Sequence, residues 1–181
     1  MTTSSLPSPF GREGQGEGQP RPTDEKGESH VKIAIGCDHA GLSLKKEITT
    51  LLKEMSHKVQ DFGCPEAWPI DYPDVARPLA EAVARGEFDR GILICGTGVG
   101  MSISANKVRG VRAALCHDVF SAHCSREHND ANILCLGQRV IGVGPALDIV
   151  KAWVNAEFSG EERHARRVQK IGEIECGAGS L

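Results

Sequence analysis

The sequence predicts an α/β fold: a three-layer α/β/α sandwich around a five-stranded parallel sheet. Three observations carry that reading. Five short segments, most of them apolar runs, read as strands, and stretches of helical spacing alternate with them along the chain. Strand–helix alternation is the mark of βαβ units, which build parallel sheets with helices on both faces. The 181 residues, 40% of them hydrophobic, suffice for one domain with a sizeable core.

The elements follow in order. "VKIAIG" at 31–36 is a β-branched run ending in glycine and predicts the first strand. Leu44, Ile48, Leu51, Leu52 and Met55 fall at helical spacing and predict an amphipathic helix. "KVQDFG" predicts a second, short strand. Over 73–85, Val75, Leu79 and Val83 predict a second helix, which Pro78 should kink or start late. "RGILICG" predicts a third strand and "VGMSISANK" a short helix. "VRAALC" and "ANILCLG" predict the fourth and fifth strands, with helical "VFSAHCSREH" between them. Helices over 145–158 and 161–175 complete the domain of residues 31–175.

Residues 1–30 differ. They hold five glycines, four prolines and almost no aliphatic residues, too little apolar area to offset the entropy of ordering. A disordered N-terminal tail is expected, with translation starting near Val31; residues 176–181 are expected to form a short C-terminal tail. The intact mass of the native protein tests the start site.

Composition excludes several classes. A net charge of -3 gives no global field for nucleic acid or an anionic membrane. Aromatic content of 4% argues against a single-strand stacking platform. No apolar run approaches the roughly 20 residues of a membrane span, and no signal-peptide core is present. Seven cysteines without a C-x-x-C point to free thiols in a reducing, cytoplasmic setting.

Ligands bind at the C-terminal ends of strands in such sheets. That rule selects "GCDHAG", "CGTGVG" and "CHDVF". In "CGTGVG", Gly96, Gly98 and Gly100 let backbone N–H groups turn inward at a helix start, forming an anion cradle. Cys95 stands at its edge, where thiols reach the thiolate form near neutral pH. A thiolate facing backbone donors suits proton abstraction next to a carbonyl, and Thr97 can bond an intermediate oxygen. The plainer reading is a buried strand-end cysteine beside a turn.

Asp38 and His39 can shuttle protons or bind hydroxyls and phosphate; equally, Asp38 can cap the next helix. His128 can act as acid or base and Asn129 as an oxyanion donor; equally, "HND" can simply end a helix. Arg163 and Arg167 share a helix face and suit a phosphate, or a solvated face paired with Glu161 and Glu162. Arg139 is a further anion contact, and His117 and Asp118 have no assigned role. Cys124 and His128 with His117 or His123 make the strongest metal set, but no zinc-signature spacing occurs, so no metal is expected. A dinucleotide site fails on spacing: the third glycine of "GTGVGM" comes too early, and "GCDHAG" lacks the middle one.

In this order, "GCDHAG", "DYPD", "ICGTGVGMSISANK", "SREHNDAN", "LGQRVIG" and "RHARR" resemble the type B ribose-5-phosphate isomerase family, over about residues 31–175. Galactose- and allose-6-phosphate isomerases belong to the same wider family. The resemblance implies a Rossmann-like sheet and a homodimer, or a tetramer of such dimers, with active sites at the interface. It implies interconversion of ribose 5-phosphate and ribulose 5-phosphate without cofactors. Cys95 resembles the base that moves a proton between C1 and C2. Some relatives use a glutamate further along the loop, but here Val99 and Met101 stand there. The resemblance gives Asp38, Thr97 and His128 to ring opening, and the amides of Gly96 to Gly100 with Asn129 to the enediolate. It gives His39, Arg139, Arg163 and Arg167 to the phosphate. The alternatives are a six-carbon sugar phosphate as substrate, or a binding module without catalysis.

Overall fold

The computed structural model describes residues 30–63 and 69–177. The strands are β1 (Lys32–Cys37), β2 (Lys58–Asp61), β3 (Arg90–Cys95), β4 (Ala113–Leu115) and β5 (Ile133–Gly137). The helices are α1 (Leu42–Glu54), α2 (Tyr72–Ala84), α3 (Val99–Ala105), α4 (Val119–Glu127), α5 (Val143–Asn155) and α6 (Glu162–Glu175). All strand pairs are parallel, in the order β2-β1-β3-β5-β4. The expected five-stranded α/β architecture is what forms.

Side-chain alternation explains the layers. Ile33, Ile35 and Cys37 of β1 point to one face, with Ile92, Ile94, Leu134 and Leu136. There they pack on Leu44, Ile48 and Leu52 of α1 and Ile149, Val150 and Trp153 of α5. Ala34, Leu93, Cys95, Ile133 and Cys135 point to the other face, against α2 and Met101 and Ala105 of α3. Apolar cover on both faces is why β1, β3 and β5 read as continuous hydrophobic runs. The edge strands β2 and β4 are shorter and only partly buried.

The bounds of two helices that contain proline are refined. The second helix begins at Tyr72 and runs through Pro78, so Pro78 does not delay its start. Its buried stripe of Val75, Ala76, Leu79, Ala80, Ala82 and Val83 outweighs the one lost backbone bond. The penultimate helix starts at Val143, ahead of Pro145. Pro145 falls in the first turn, where an N–H has no helical partner anyway.

The chain order reverses between β1 and β3, since β1 connects outward to β2 while β3 lies on its other side. The loops after β1 and β3 therefore flank the switch point, where open α/β sheets bind ligands. Among the described residues no helix is long and apolar enough to cross a membrane. Cys64 lies outside the described residues, as do residues 1–29 and 178–181 of the two expected tails.

Candidate active site

Cys95 is the last residue of β3, 5% exposed. The Gly98 N–H donates to its Sγ at 3.0 Å. Gly98 holds this turn at φ 78, and a Cβ there would lie 2.5 Å from Leu115 Cδ1. Only glycine fits both the angle and the space. Thr97 is exposed, and its Oγ1 accepts the Val99 N–H at 3.4 Å. Gly100 leaves room for the Tyr72 ring, which would stand 2.8 Å from an added Cβ. Tyr72 closes over the glycine loop; its place in the "DYPD" motif was the only sequence signal of that.

The loops after β1 and β5 meet this turn. The Asp38 N–H donates to Ile94 O at 3.2 Å, placing Asp38 beside the end of β3. Its buried Oδ1 accepts the Ala40 N–H at 2.9 Å, shaping the turn into α1, whose N-cap is Gly41. His39 is exposed next to it. The Gln138 N–H donates to Cys95 O at 3.0 Å and the Arg139 N–H to Gly96 O at 2.9 Å. The Arg139 side chain passes over Gly96, its Nε and Nη1 3.6 Å from where a Cβ would stand. Gln138 Oε1 accepts the Leu44 N–H at 2.9 Å and ties α1 to the loop after β5. Sequence reading passed over Gln138, although it lies inside "LGQRVIG".

A second group forms elsewhere. His128 is the C-cap of α4, on the return path to β5. The Asn129 carbonyl accepts Arg112 Nε at 3.1 Å, just before β4. Asp130, at φ 48, holds both Arg112 (2.8 Å) and Arg126 (2.8 Å). The Ser159 N–H donates to Glu127 O at 3.0 Å and brings the start of α6 here. His164 then stacks flat on His128, ring centroids 4.3 Å apart and 4° between planes. His164 is buried with neither ring nitrogen hydrogen-bonded, Glu161 Oε2 lying 4.0 Å from Nε2. Burial, then the nearby charges of His128 and Arg163, hold its pKa below the ordinary histidine value. Sequence reading quoted it within "RHARR" without assigning it a part. Arg163 donates to Glu161 at 2.8 Å, as the solvated-face reading anticipated; Arg167 is exposed one turn on. A surface concavity of about 390 Å³ lies beside Asn129, lined also by Arg112, Ile171 and Glu175. His117 is exposed, and Asp118 caps α4 by accepting the Ser121 N–H at 2.7 Å.

The chain thus unites Cys95, Thr97, the glycines, Asp38, His39 and Arg139 at the C-terminal end of the strands. It places His128, Asn129, Arg163 and Arg167 at the other end. A six-residue strand spans roughly 17 Å, which separates the two groups within one chain.

Comparison with known proteins gives the chemistry a frame. A model of the Ribose/Galactose Isomerase family matches residues 33–171. Ribose-5-phosphate isomerase B of Escherichia coli is 51% identical over 144 residues, 80% of this chain and 96% of its own. D-erythrulose-4-phosphate isomerase of Pectobacterium atrosepticum is 48% identical over 146 residues, 80% of this chain and 95% of its own. The solved ribose-5-phosphate isomerase B of Clostridium thermocellum matches with a TM-score of 0.80 at 57% identity, covering 82% of this chain and 100% of the other. At that identity and coverage, this chain belongs to the Ribose/Galactose Isomerase family and is a sugar-phosphate isomerase.

Proposed function

We propose that the enzyme interconverts ribose 5-phosphate and ribulose 5-phosphate, with Cys95 as the base. The observation that carries this is the Gly98 N–H held on Cys95 Sγ at 3.0 Å. Base and oxyanion donors then sit in one rigid loop. Cys95 takes the proton from C2 of the open-chain aldose, and the electron pair moves onto the carbonyl oxygen at C1. The amides of Gly96 to Gly100 stabilise that developing charge as an enediolate, with Asn129 assisting. The 2-hydroxyl proton passes to O1, Cys95 returns the abstracted proton to C1, and the carbonyl forms at C2, so the ketose appears with no net change in atoms. Asp38, Thr97 and His128 move the proton from the anomeric hydroxyl to the ring oxygen during opening. His39, Arg139, Arg163 and Arg167 hold the phosphate. Every step is a proton transfer by the chain's own groups, so the reading calls for no cofactor.

The site in this reading needs two copies. A two-fold dimer sets the His128 end of one subunit against the Cys95 end of the other, twice over. Exposed apolar side chains surround the Cys95 end: Val99, Ile103, Val119 and Phe120 are 45%, 58%, 46% and 77% accessible. Such a patch suits burial against a second copy. We place the enzyme in the cytoplasm, where thiols stay reduced.

A side-by-side assay with EDTA tests this, using ribose 5-phosphate, D-erythrulose 4-phosphate, allose 6-phosphate and galactose 6-phosphate. The expected result is fastest turnover of ribose 5-phosphate. The Pectobacterium relative's name supports a second reading, a four-carbon substrate. Preference for that or a six-carbon sugar would overturn the substrate assignment, and silence on all four would overturn the reading.

A further inference from the structure

We infer that the last turn of α4 binds a zinc-class divalent cation through Cys124, Glu127 and His128, with His123 as fourth donor, and that filling this site switches the isomerase off by capturing His128. The donor atoms of Cys124, Glu127 and His128 lie within 4.8 Å of one another. Both imidazoles already converge on one carboxylate oxygen. His123 Nε2 stands 3.3 Å from Glu127 Oε2, and His128 Nε2 stands 3.2 Å from the same atom. In a tetrahedral zinc site with metal–ligand bonds of about 2.1 Å, an N···O edge is about 3.4 Å, so the His128–Glu127 edge is already set. His123, which stands against Glu127 but outside the mutual 4.8 Å set, completes the site by side-chain rotation. A sulfur–nitrogen edge is about 3.6 Å, which a side-chain rotation of Cys124 supplies.

Helix geometry makes the cluster. Positions 123 and 127, 124 and 127, and 124 and 128 are i, i+4 or i, i+3 pairs on one face. An ordinary histidine–glutamate pair accounts for His123. It does not account for a second imidazole on the same oxygen with a thiol beside it. Thiol and imidazole donors favour zinc, cobalt or cadmium over magnesium or calcium. In the single chain the side chains of His123, Glu127 and His128 are 50%, 40% and 37% exposed, and in the dimer proposed above a cleft that admits a sugar phosphate to His128 admits an ion. The stack on His164 orients the His128 ring from outside the cluster. The binding half of the inference stands on this geometry alone. The inhibitory half rests on the proposed role of His128, because a ring nitrogen committed to a metal no longer exchanges protons with a sugar.

The test is a Co²⁺ titration of the full-length, metal-free protein, followed by Zn²⁺ competition. The expected result is a thiolate-to-cobalt charge-transfer band that Zn²⁺ abolishes. Cys124→Ala should remove the band, weaken Zn²⁺ binding at least about tenfold, and leave the rate in EDTA unchanged. The zinc concentration that halves activity should rise by the same factor. His123→Ala, which leaves every thiol in place, should also weaken binding. No charge-transfer band, or a band that survives in Cys124→Ala, overturns the site. Full activity with the site filled overturns the inhibitory half. Should the protein turn over none of the sugars, the cobalt spectrum still decides the binding half, so the two failures are distinguishable.

Discussion

The two ends of the sheet are built from different materials. At the end of β3 the proposed working parts are mostly backbone amides, one buried thiol and a glycine in the left-handed region, fixed by strand register, with Thr97, Asp38, His39 and Arg139 beside them. At the opposite end they are side chains on helix termini, such as His128 at 37% and Arg163 at 60% exposure. A centre made of backbone is rigid but cannot be altered without disturbing the fold. One made of exposed side chains can be edited freely and can reach across to another subunit. In the proposed two-copy site, each end supplies what its construction allows.

Substitutions can break or sharpen this contrast. The largest effect should come from Cys95→Ala: kcat falls about 10²- to 10⁴-fold while KM changes little, because the base acts in the transition state. A near-normal kcat would remove Cys95 from its role. Gly98→Val should follow. It forces a β-branched residue to φ 78 with its Cβ 2.5 Å from Leu115, costing about 2 kcal/mol or more. Denaturant unfolding reads this out, and an unmoved midpoint would contradict the claim that backbone builds this end. Arg167→Ala, at the other end, should raise KM about tenfold with kcat and the unfolding midpoint unchanged. Loss of folding there would mean that the end is structural after all.

A smaller effect concerns the core thiols. Burial pushes the Cys116 thiol up to about 11, and burial also raises Cys135. Their folded pKa values lie above the unfolded ones, so the native state keeps protons that the unfolded chain releases. That stability is complete below the ordinary thiol pKa and is lost as pH rises toward 11. The melting temperature should therefore fall between about pH 9 and 11, and less steeply in Cys116→Ala. Parallel curves for the two proteins would show that Cys116 does not contribute.

Much of the fold was legible because burial on both faces leaves unbroken apolar strands such as "GILIC", and those fix the alternation of elements. The Cys95 end was legible for the same reason: the strand's end, the glycines and the thiol are contiguous in sequence. The division into two ends was not. It depends on α4 running back along the sheet, so that His128 emerges where Arg112 enters β4, and no local pattern encodes that. Gln138, Tyr72 and His164 were missed because each acts through a partner distant in sequence: Leu44, Gly100 and His128. Pro78 does not delay the start of α2, because the buried stripe holds the helix together from Tyr72 on.

The central claim is that each site takes Cys95 from one copy and His128 from another, and subunit mixing tests it most directly. Cys95→Ala and His128→Ala should each be nearly inactive alone. After unfolding and refolding together in equal amounts, half the dimers are mixed and each mixed dimer holds one intact site, so about a quarter of wild-type activity should return. An exchanged mixture, verified by mass, that stays as inactive as its parents would contradict the claim.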